Sequence, residues 1–226
     1  LPTSVTIGIK ETAAMIEEAK ANFAAGFRIL KIKTGIDVDE DIERVNKLTE
    51  QVGGKMRIRV DANQGYTLQQ LKQFIKETKT LNIELIEQPL PVGEEKQLTL
   101  LNTDERKLLV ADESLLDAGS AMAWAQQPQP YGVFNIKLMK CGGIKGALQI
   151  ANIAQYAGID LFWGCNDESM VSITAALHAA FCCSNTRYLD LDGSFDINET
   201  LVEGGFILKD GYMHTNGLPG LGVHKR

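Results

Sequence analysis

The stretch Arg57-Ile58-Arg59-Val60-Asp61-Ala62-Asn63-Gln64-Gly65 decides how the chain is read. The β-branched residues Ile58 and Val60 start it as a strand, and Gly65 closes it in a turn. Two-residue alternation puts Asp61 and Asn63 on one face. A carboxylate at the C-terminal tip of a strand is where a closed parallel barrel keeps its chemistry. Taken alone, Asp61 fits a helix cap or a braced turn as well as it fits a ligand. The balance moves because similar strand ends recur along the chain, each with an acid or a lysine.

Outward from this stretch, strands are predicted at 5–9, 27–33, 56–61, 83–87, 108–112, 132–138, 160–164 and 188–192. Helices are predicted at 11–25, 37–52, 67–80, 94–102, 118–127, 144–157 and 170–182. Strict alternation argues for a parallel sheet, and eight strands in this length favour a closed (β/α)8 TIM barrel over an open sheet. The candidate residues fall at 33, 61, 87, 112, 137, 165 and 190, in steps of 25 to 28, which is one strand, one helix and two loops. After the eighth strand the pattern stops. The segment 206–214 reads as a hairpin around Asp210-Gly211, and no eighth full helix follows Asp192. The division is therefore a catalytic barrel over 1–200 and a tail over 201–226, expected to pack against a domain outside this chain.

The 226 residues are 44% hydrophobic, enough for one buried core. A net charge of −6 argues against nucleic acid or an anionic membrane as the main partner. No apolar run has the length of a membrane span and no basic-then-apolar leader is seen. The cysteines Cys141, Cys165, Cys182 and Cys183 lack zinc-ligand spacing and read as reduced core thiols in a cytoplasmic protein. The chain begins at Leu1, as a fragment of a longer protein would.

Three acids share one address: Asp61, Glu87 and Asp112 end the third, fourth and fifth strands. Adjacent strands lie about 4.8 Å apart, so three inward carboxylates repel unless a cation joins them. Oxygen-only ligands select a hard divalent ion, Mg²⁺ before Ca²⁺ or Mn²⁺. Lys31 and Lys33 face inward from the second strand and Lys137 from the sixth, on opposite sides of an eight-strand ring. Two lysines on opposite walls with a metal between them fit one base on each face of a substrate carbon. Half-neutral lysine at pH 7 needs a pKa about 3.4 below its usual value, roughly 4.6 kcal/mol. Burial, a divalent ion and a neighbouring ammonium are expected to push the lysines down.

Lys31-Ile32-Lys33, Asp61-Ala62-Asn63, Glu87-Gln88-Pro89, Ala111-Asp112-Glu113-Ser114 and Asn135-Ile136-Lys137 resemble, in order and across essentially the whole chain, the barrel motifs of the enolase superfamily. More narrowly they resemble its muconate lactonizing enzyme subgroup. The resemblance implies a modified (β/α)7β barrel, Mg²⁺ on Asp61, Glu87 and Asp112, and Lys33 and Lys137 as the acid/base pair. It implies further that Lys31 tunes Lys33 and approaches the substrate carboxylate, with Asn63 in a supporting position behind the ligands. The implied chemistry is proton abstraction next to a carboxylate, through a metal-stabilised enediolate. The family also carries an N-terminal capping domain, which this chain lacks.

Within the subgroup, Asp190 and Asp192 on the eighth strand are similar to the pair with which dipeptide epimerases hold the substrate α-ammonium. Two ionised acids at a site that also binds a carboxylate select a zwitterion. The implied function is Mg²⁺-dependent epimerisation of a dipeptide such as L-Ala-L-Glu at the α-carbon of its C-terminal residue, by two-base 1,1-proton transfer. The alternatives are a cycloisomerase, an o-succinylbenzoate synthase or an N-acylamino acid racemase of the same subgroup. A Schiff-base aldolase barrel and a non-enzymatic scaffold are further rivals. The seventh strand departs from the pattern with Cys165-Asn166-Asp167-Glu168-Ser169, where related epimerases more often carry an apolar residue near 166 or 167. The sequence leaves a homo-oligomer open.

Overall fold

The computed structural model describes residues 1–52, 54–195 and 197–226. Eight strands follow one another around a curled sheet in chain order, every neighbouring pair parallel. They are β1 (Val5–Ile7), β2 (Ile29–Lys33), β3 (Arg57–Asp61), β4 (Ile83–Glu87), β5 (Leu109–Ala111), β6 (Val133–Ile136), β7 (Asp160–Trp163) and β8 (Thr186–Leu189). A parallel bridge between Thr3 and Leu189 joins the last strand to the chain entering the first and closes the ring. The helices between them are α1 (Thr12–Ala24), α2 (Val38–Val52), α3 (Leu68–Glu77), α4 (Thr103–Lys107), α5 (Ala118–Trp124), α6 (Ile144–Ala157) and α7 (Met170–Cys182). The (β/α)7β architecture is therefore as expected from the sequence.

Local signals account for most of the boundaries. Asp37 Oδ1 accepts the Asp39 and Glu40 N–H groups at the start of α2, and Thr67 with Gln70 forms a capping box on α3. Gly158 ends α6 in the left-handed conformation. Several boundaries differ from the sequence reading, among them the eighth strand, expected at 188–192 and found at Thr186–Leu189. The single helix predicted at 94–102 is a 3-10 turn, Glu95–Leu100, and the true helix follows as α4. Its capping box, Asn102 with Glu105, was present in the sequence. The helix predicted at 118–127 ends at Trp124.

The core has two parts. Outward-facing residues such as Ile32, Val60, Ile86 and Phe134 pack under the helices. Leu85, Val110, Val133 and Phe162 face inward and fill the lumen below the mouth.

The tail is built as expected, with β10 (Phe206–Lys209) and β11 (Tyr212–Thr215) as a hairpin around Asp210-Gly211. A second pair joins β9 (Val202–Gly204) to β12 (Val223–Lys225). Its packing on the barrel is a finding. Met213 is fully buried, its N–H donates to the Leu1 carbonyl at 2.9 Å, and Phe195 lies between Phe27 and Phe206 with its ring tilted to both. The hairpin touches α7 and the end of α1, the seam an eighth helix would cover. The four thiols are free, but only Cys141 is buried; Cys182 is exposed and Cys165 reaches the lumen mouth, which corrects the expectation of four core thiols. Trp163 is core, fully buried with Nε1 donating to Thr186 Oγ1.

Candidate active site

The chain turns sharply just beyond the strand ends. Asn63 (φ 42°), Gln64 (φ 66°) and Gln88 (φ 34°) take left-handed conformations that cost energy for residues other than glycine. At Gly35 and Gly65 the loops after β2 and β3 pass so close that an added Cβ would sit 2.0 Å from a backbone oxygen. Buried Gln88 ties two strand ends together, because its Oε1 accepts the N–H groups of Asp112 and Ser114 at 3.0 and 3.1 Å. These turns present the strand tips as one rigid rim.

At the rim the ionisable residues form two groups. In the first, Lys31 Nζ lies 2.9 Å from Asp190 Oδ2, 2.8 Å from Glu87 Oε2 and 3.1 Å from Asp61 Oδ2, and all four residues are buried. Lys33 joins from the same strand, with Nζ 2.7 Å from Asp61 Oδ2 and 3.1 Å from Asn63 Oδ1. In the second group, Lys137 Nζ donates to Asp112 Oδ2 at 2.7 Å while Lys140 Nζ holds Asp112 Oδ1 and its carbonyl. Asn135 connects the groups by donating from Nδ2 to Glu87 Oε1 at 2.7 Å. Asp112, Lys137 and Asp190 each follow their strand by one residue instead of lying in it, and Asp192 lies three residues beyond β8, so neither Asp190 nor Asp192 is on the eighth strand as expected.

The electrostatics follow from this packing. Burial pulls Lys31 down, but Asp190, Glu87 and Asp61 outweigh it and hold the ammonium well above its usual pKa. Burial likewise loses to Asp112 and Glu87 at Lys137, which is also raised. At both lysines the neighbouring carboxylates outweigh burial. At Lys140 burial wins and the pKa falls. Burial opposes ionisation of Asp61, Asp112 and Asp190, but the adjacent lysines outweigh it and hold all three low. Glu87, buried and beside Asp61, is pushed up to about 7.

The donor set suits a hard cation, being carboxylate oxygen throughout. Glu87 Oε2 is buried with no hydrogen-bond donor; Lys31 Nζ is close, at 2.8 Å, but off the hydrogen-bonding direction. That orphaned oxygen fits a metal ligand. Among the described residues, no three His, Cys, Asp or Glu side chains stand together as a ready cage, because the lysine ammoniums lie among the carboxylates. Asp61, Glu87 and Asp112 would hold such an ion, which would share the charge balance that Lys31 and Lys137 supply.

A cavity of about 380 Å³ opens above these residues, lined by Lys31, Lys33, Lys137, Asp167, Asp190 and Asp192 among others. Asp190 and Asp192 share it but are held differently. Asp190 is buried, with Oδ1 accepting from Ser4 Oγ at 2.6 Å and Oδ2 from Lys31. Asp192 accepts the Thr6 N–H at 2.8 Å through Oδ2, and burial with the Asp190 charge pushes it up to about 6. Asp167 is exposed at the rim. A larger groove of about 580 Å³ lies outside the barrel by α3 and α4, away from these lysines. The sequence reading missed Asn135 and Lys140 as site members. Inward parity two residues before Lys137 pointed to the first; the second sits one turn beyond Lys137.

The model of the family described as "Enolase C-terminal domain-like" matches residues 14–225. The chain is 52% identical over 225 residues to the L-Lys-D/L-Arg epimerase of Desulforapulum autotrophicum, covering 100% of this chain and 63% of that protein. A crystal structure of a dipeptide epimerase from Methylococcus capsulatus, complexed with Mg and the dipeptide L-Arg-D-Lys, superimposes with a TM-score of 0.97 at 51% identity, over 99% of this chain and 63% of that one. A substrate-liganded complex of the L-Ala-D/L-Glu epimerase from Bacillus subtilis gives a TM-score of 0.91 at 31% identity, over 99% and 63%. The chain thus spans about 63% of the length of the curated relatives it matches. The strand order, the acids and lysines at the strand tips and the match over residues 14–225 agree, and the chain belongs to the Enolase C-terminal domain-like family.

Proposed function

We propose that the protein carrying this chain epimerises dipeptides at the α-carbon of the C-terminal residue, with Mg²⁺ held by Asp61, Glu87 and Asp112. The observation that carries the reading is a pair of amines from opposite walls of one cavity, Lys33 on β2 and Lys137 after β6, with carboxylates between them. Each amine lies 2.7 Å from its own carboxylate, which holds it in a defined place. One lysine in its neutral form takes the α-proton, and the opposite ammonium returns a proton to the other face. The α-carbon inverts. Lys31 keeps its charge among three acids and faces the substrate carboxylate. Bound at the three acids, Mg²⁺ supplies charge for that carboxylate as the proton leaves and weakens the acids' hold on the lysines. Asp192 has Oδ1 free of backbone bonds and accepts the substrate α-ammonium beside Asp190.

The substrate class is a dipeptide with cationic side chains. The named activity of the relative at 52% identity and the ligand of the structure at 51% identity support this over L-Ala-L-Glu. So does the exposed carboxylate of Asp167 at the rim, where the sequence departs from the apolar pattern. A capping domain completes the site; Ile36, Val92, Leu116 and Met139, exposed on the loops around the mouth, give it an apolar seat. Among the described residues no helix is long and apolar enough to cross a membrane, and the free thiols fit a cytoplasmic location.

The test is a screen of L,L-dipeptides for deuterium uptake from D₂O, on the full-length protein with Mg²⁺. Lys- and Arg-containing dipeptides are expected to exchange at the C-terminal α-position, and EDTA to stop it. Absence of exchange on every dipeptide overturns the reading. Exchange on N-acyl amino acids, indifferent to Asp192→Asn, moves it to the N-acylamino acid racemase alternative.

A further inference from the structure

Below the mouth Leu85, Val110, Val133 and Phe162 fill one side of the lumen, but on the β3 side it holds a buried cation. Arg59 is only 2% exposed. Its Nε donates to Glu84 Oε2 at 2.7 Å, and its Nη1 donates to the Leu189 carbonyl at 2.6 Å and to Ser4 Oγ at 3.0 Å. The guanidinium carbon lies 5.0 Å from the centroid of the Phe162 ring and 5.3 Å from that of Tyr188. Glu84 reaches this layer because β4 slips register against β3 at Ile58/Arg59.

A guanidinium has donors only and does not lose its proton. Ser4 Oγ must therefore accept from Arg59, and its single hydrogen is left to donate. The short contact open to that hydrogen is Asp190 Oδ1 at 2.6 Å; the Leu189 carbonyl, at 3.3 Å, already receives Arg59. Asp190 Oδ2 is then turned to Lys31 at 2.9 Å. One hydrogen-bonded chain runs from floor to rim through Glu84, Arg59, Ser4, Asp190 and Lys31. A floor built for stability alone has no need of it, since apolar side chains of similar volume do that work as well or better.

We propose that Arg59 and Ser4 are positioning residues, which set the orientation of Asp190 and through it hold the Lys31 ammonium between Asp61 and Glu87. What Lys31 does for catalysis rests on the proposed function; the contact itself does not. The test is a double-mutant cycle on the full-length Mg²⁺-loaded protein: Ser4→Ala, Asp190→Asn and both together. Deuterium uptake is followed on the best dipeptide, with dipeptide binding by calorimetry where turnover is too slow. Ser4→Ala is expected to lower kcat/KM or affinity about tenfold. In the Asp190→Asn background the same substitution is expected to cost less than about twofold, because the hydroxyl then has no carboxylate to orient. An undiminished loss in that background overturns the proposal, as does a Ser4→Ala protein with wild-type kinetics. A wild-type protein that neither exchanges nor binds any dipeptide refutes the proposed function instead. The relay is then judged by the same cycle on urea midpoints, where coupled shifts support it and additive shifts overturn it.

Discussion

The two sides of the barrel mouth use the same residue types in opposite ratios. On the β2 side, three buried carboxylates share the Lys31 ammonium. On the β6 side, two ammoniums share the Asp112 carboxylate. Removing one partner therefore has different consequences. Without Lys31, Lys33 still pairs with Asp61, but Glu87 and Asp190 keep only the neutral donors Asn135 and Ser4 in direct contact. Without Lys137, Asp112 still has Lys140. The comparison teaches that three buried acids depend on the Lys31 ammonium, whereas Asp112 keeps a second cation when Lys137 is removed, which suits the proton-transfer role proposed for Lys137.

The largest effect that can break this comparison is on turnover. Lys137→Met is expected to slow α-proton exchange about 10² to 10⁴-fold while costing less stability than the loss of Lys31, because Lys140 stays on Asp112. Exchange rates and urea unfolding on the same preparation measure both. Next, Lys31→Met is expected to cost about 3 to 5 kcal/mol of stability in EDTA, because it strands buried carboxylates. Mg²⁺ is expected to restore part of that loss, by binding the folded state at the same acids. Equal destabilisation by the two substitutions erases the difference between the sides.

The smallest effect concerns Asp192. Its folded pKa of about 6 lies above the unfolded value, so the folded state binds the proton more tightly. Stability from this residue is present at acid pH and is lost as pH rises towards 6 and above. Asp192→Asn is therefore expected to stabilise the protein by roughly 1 to 2 kcal/mol at pH 7.5 and to have no such effect near pH 3.5. The same variant is expected to lose dipeptide turnover. Urea midpoints at the two pH values, beside exchange rates, sharpen the distinction between an acid kept for function and one kept for the fold. A variant no more stable than wild type at pH 7.5 shows that Asp192 carries no such cost.

Much of the site could be read from strand ends. Asp61, Glu87, Asp190 and Asp192 lie on the expected face, and Lys31 and Lys33 both reach Asp61 as two-residue alternation requires. What alternation could not supply was the pairing. The Lys31–Asp190 contact joins residues 159 apart in the chain. The equivalence expected of Asp190 and Asp192 gave way to one aspartate bound by Ser4 and Lys31 and another held by the Thr6 N–H and the Cys165 thiol. Lys140 escaped notice because it sits in a turn beyond the strand, where alternation no longer predicts direction. The bulge in β4 turned Glu84 onto Arg59, against a simple count along the strand.

By itself the sequence determined the order of strands and helices, the barrel they close into, and the types of residue at the strand tips. These depend on periodicity and caps, which act over a few neighbouring residues. Only the tertiary structure decided which charges meet and which of them lose water. Those outcomes depend on distances across the lumen and on burial, and neither is a property of any local stretch of chain.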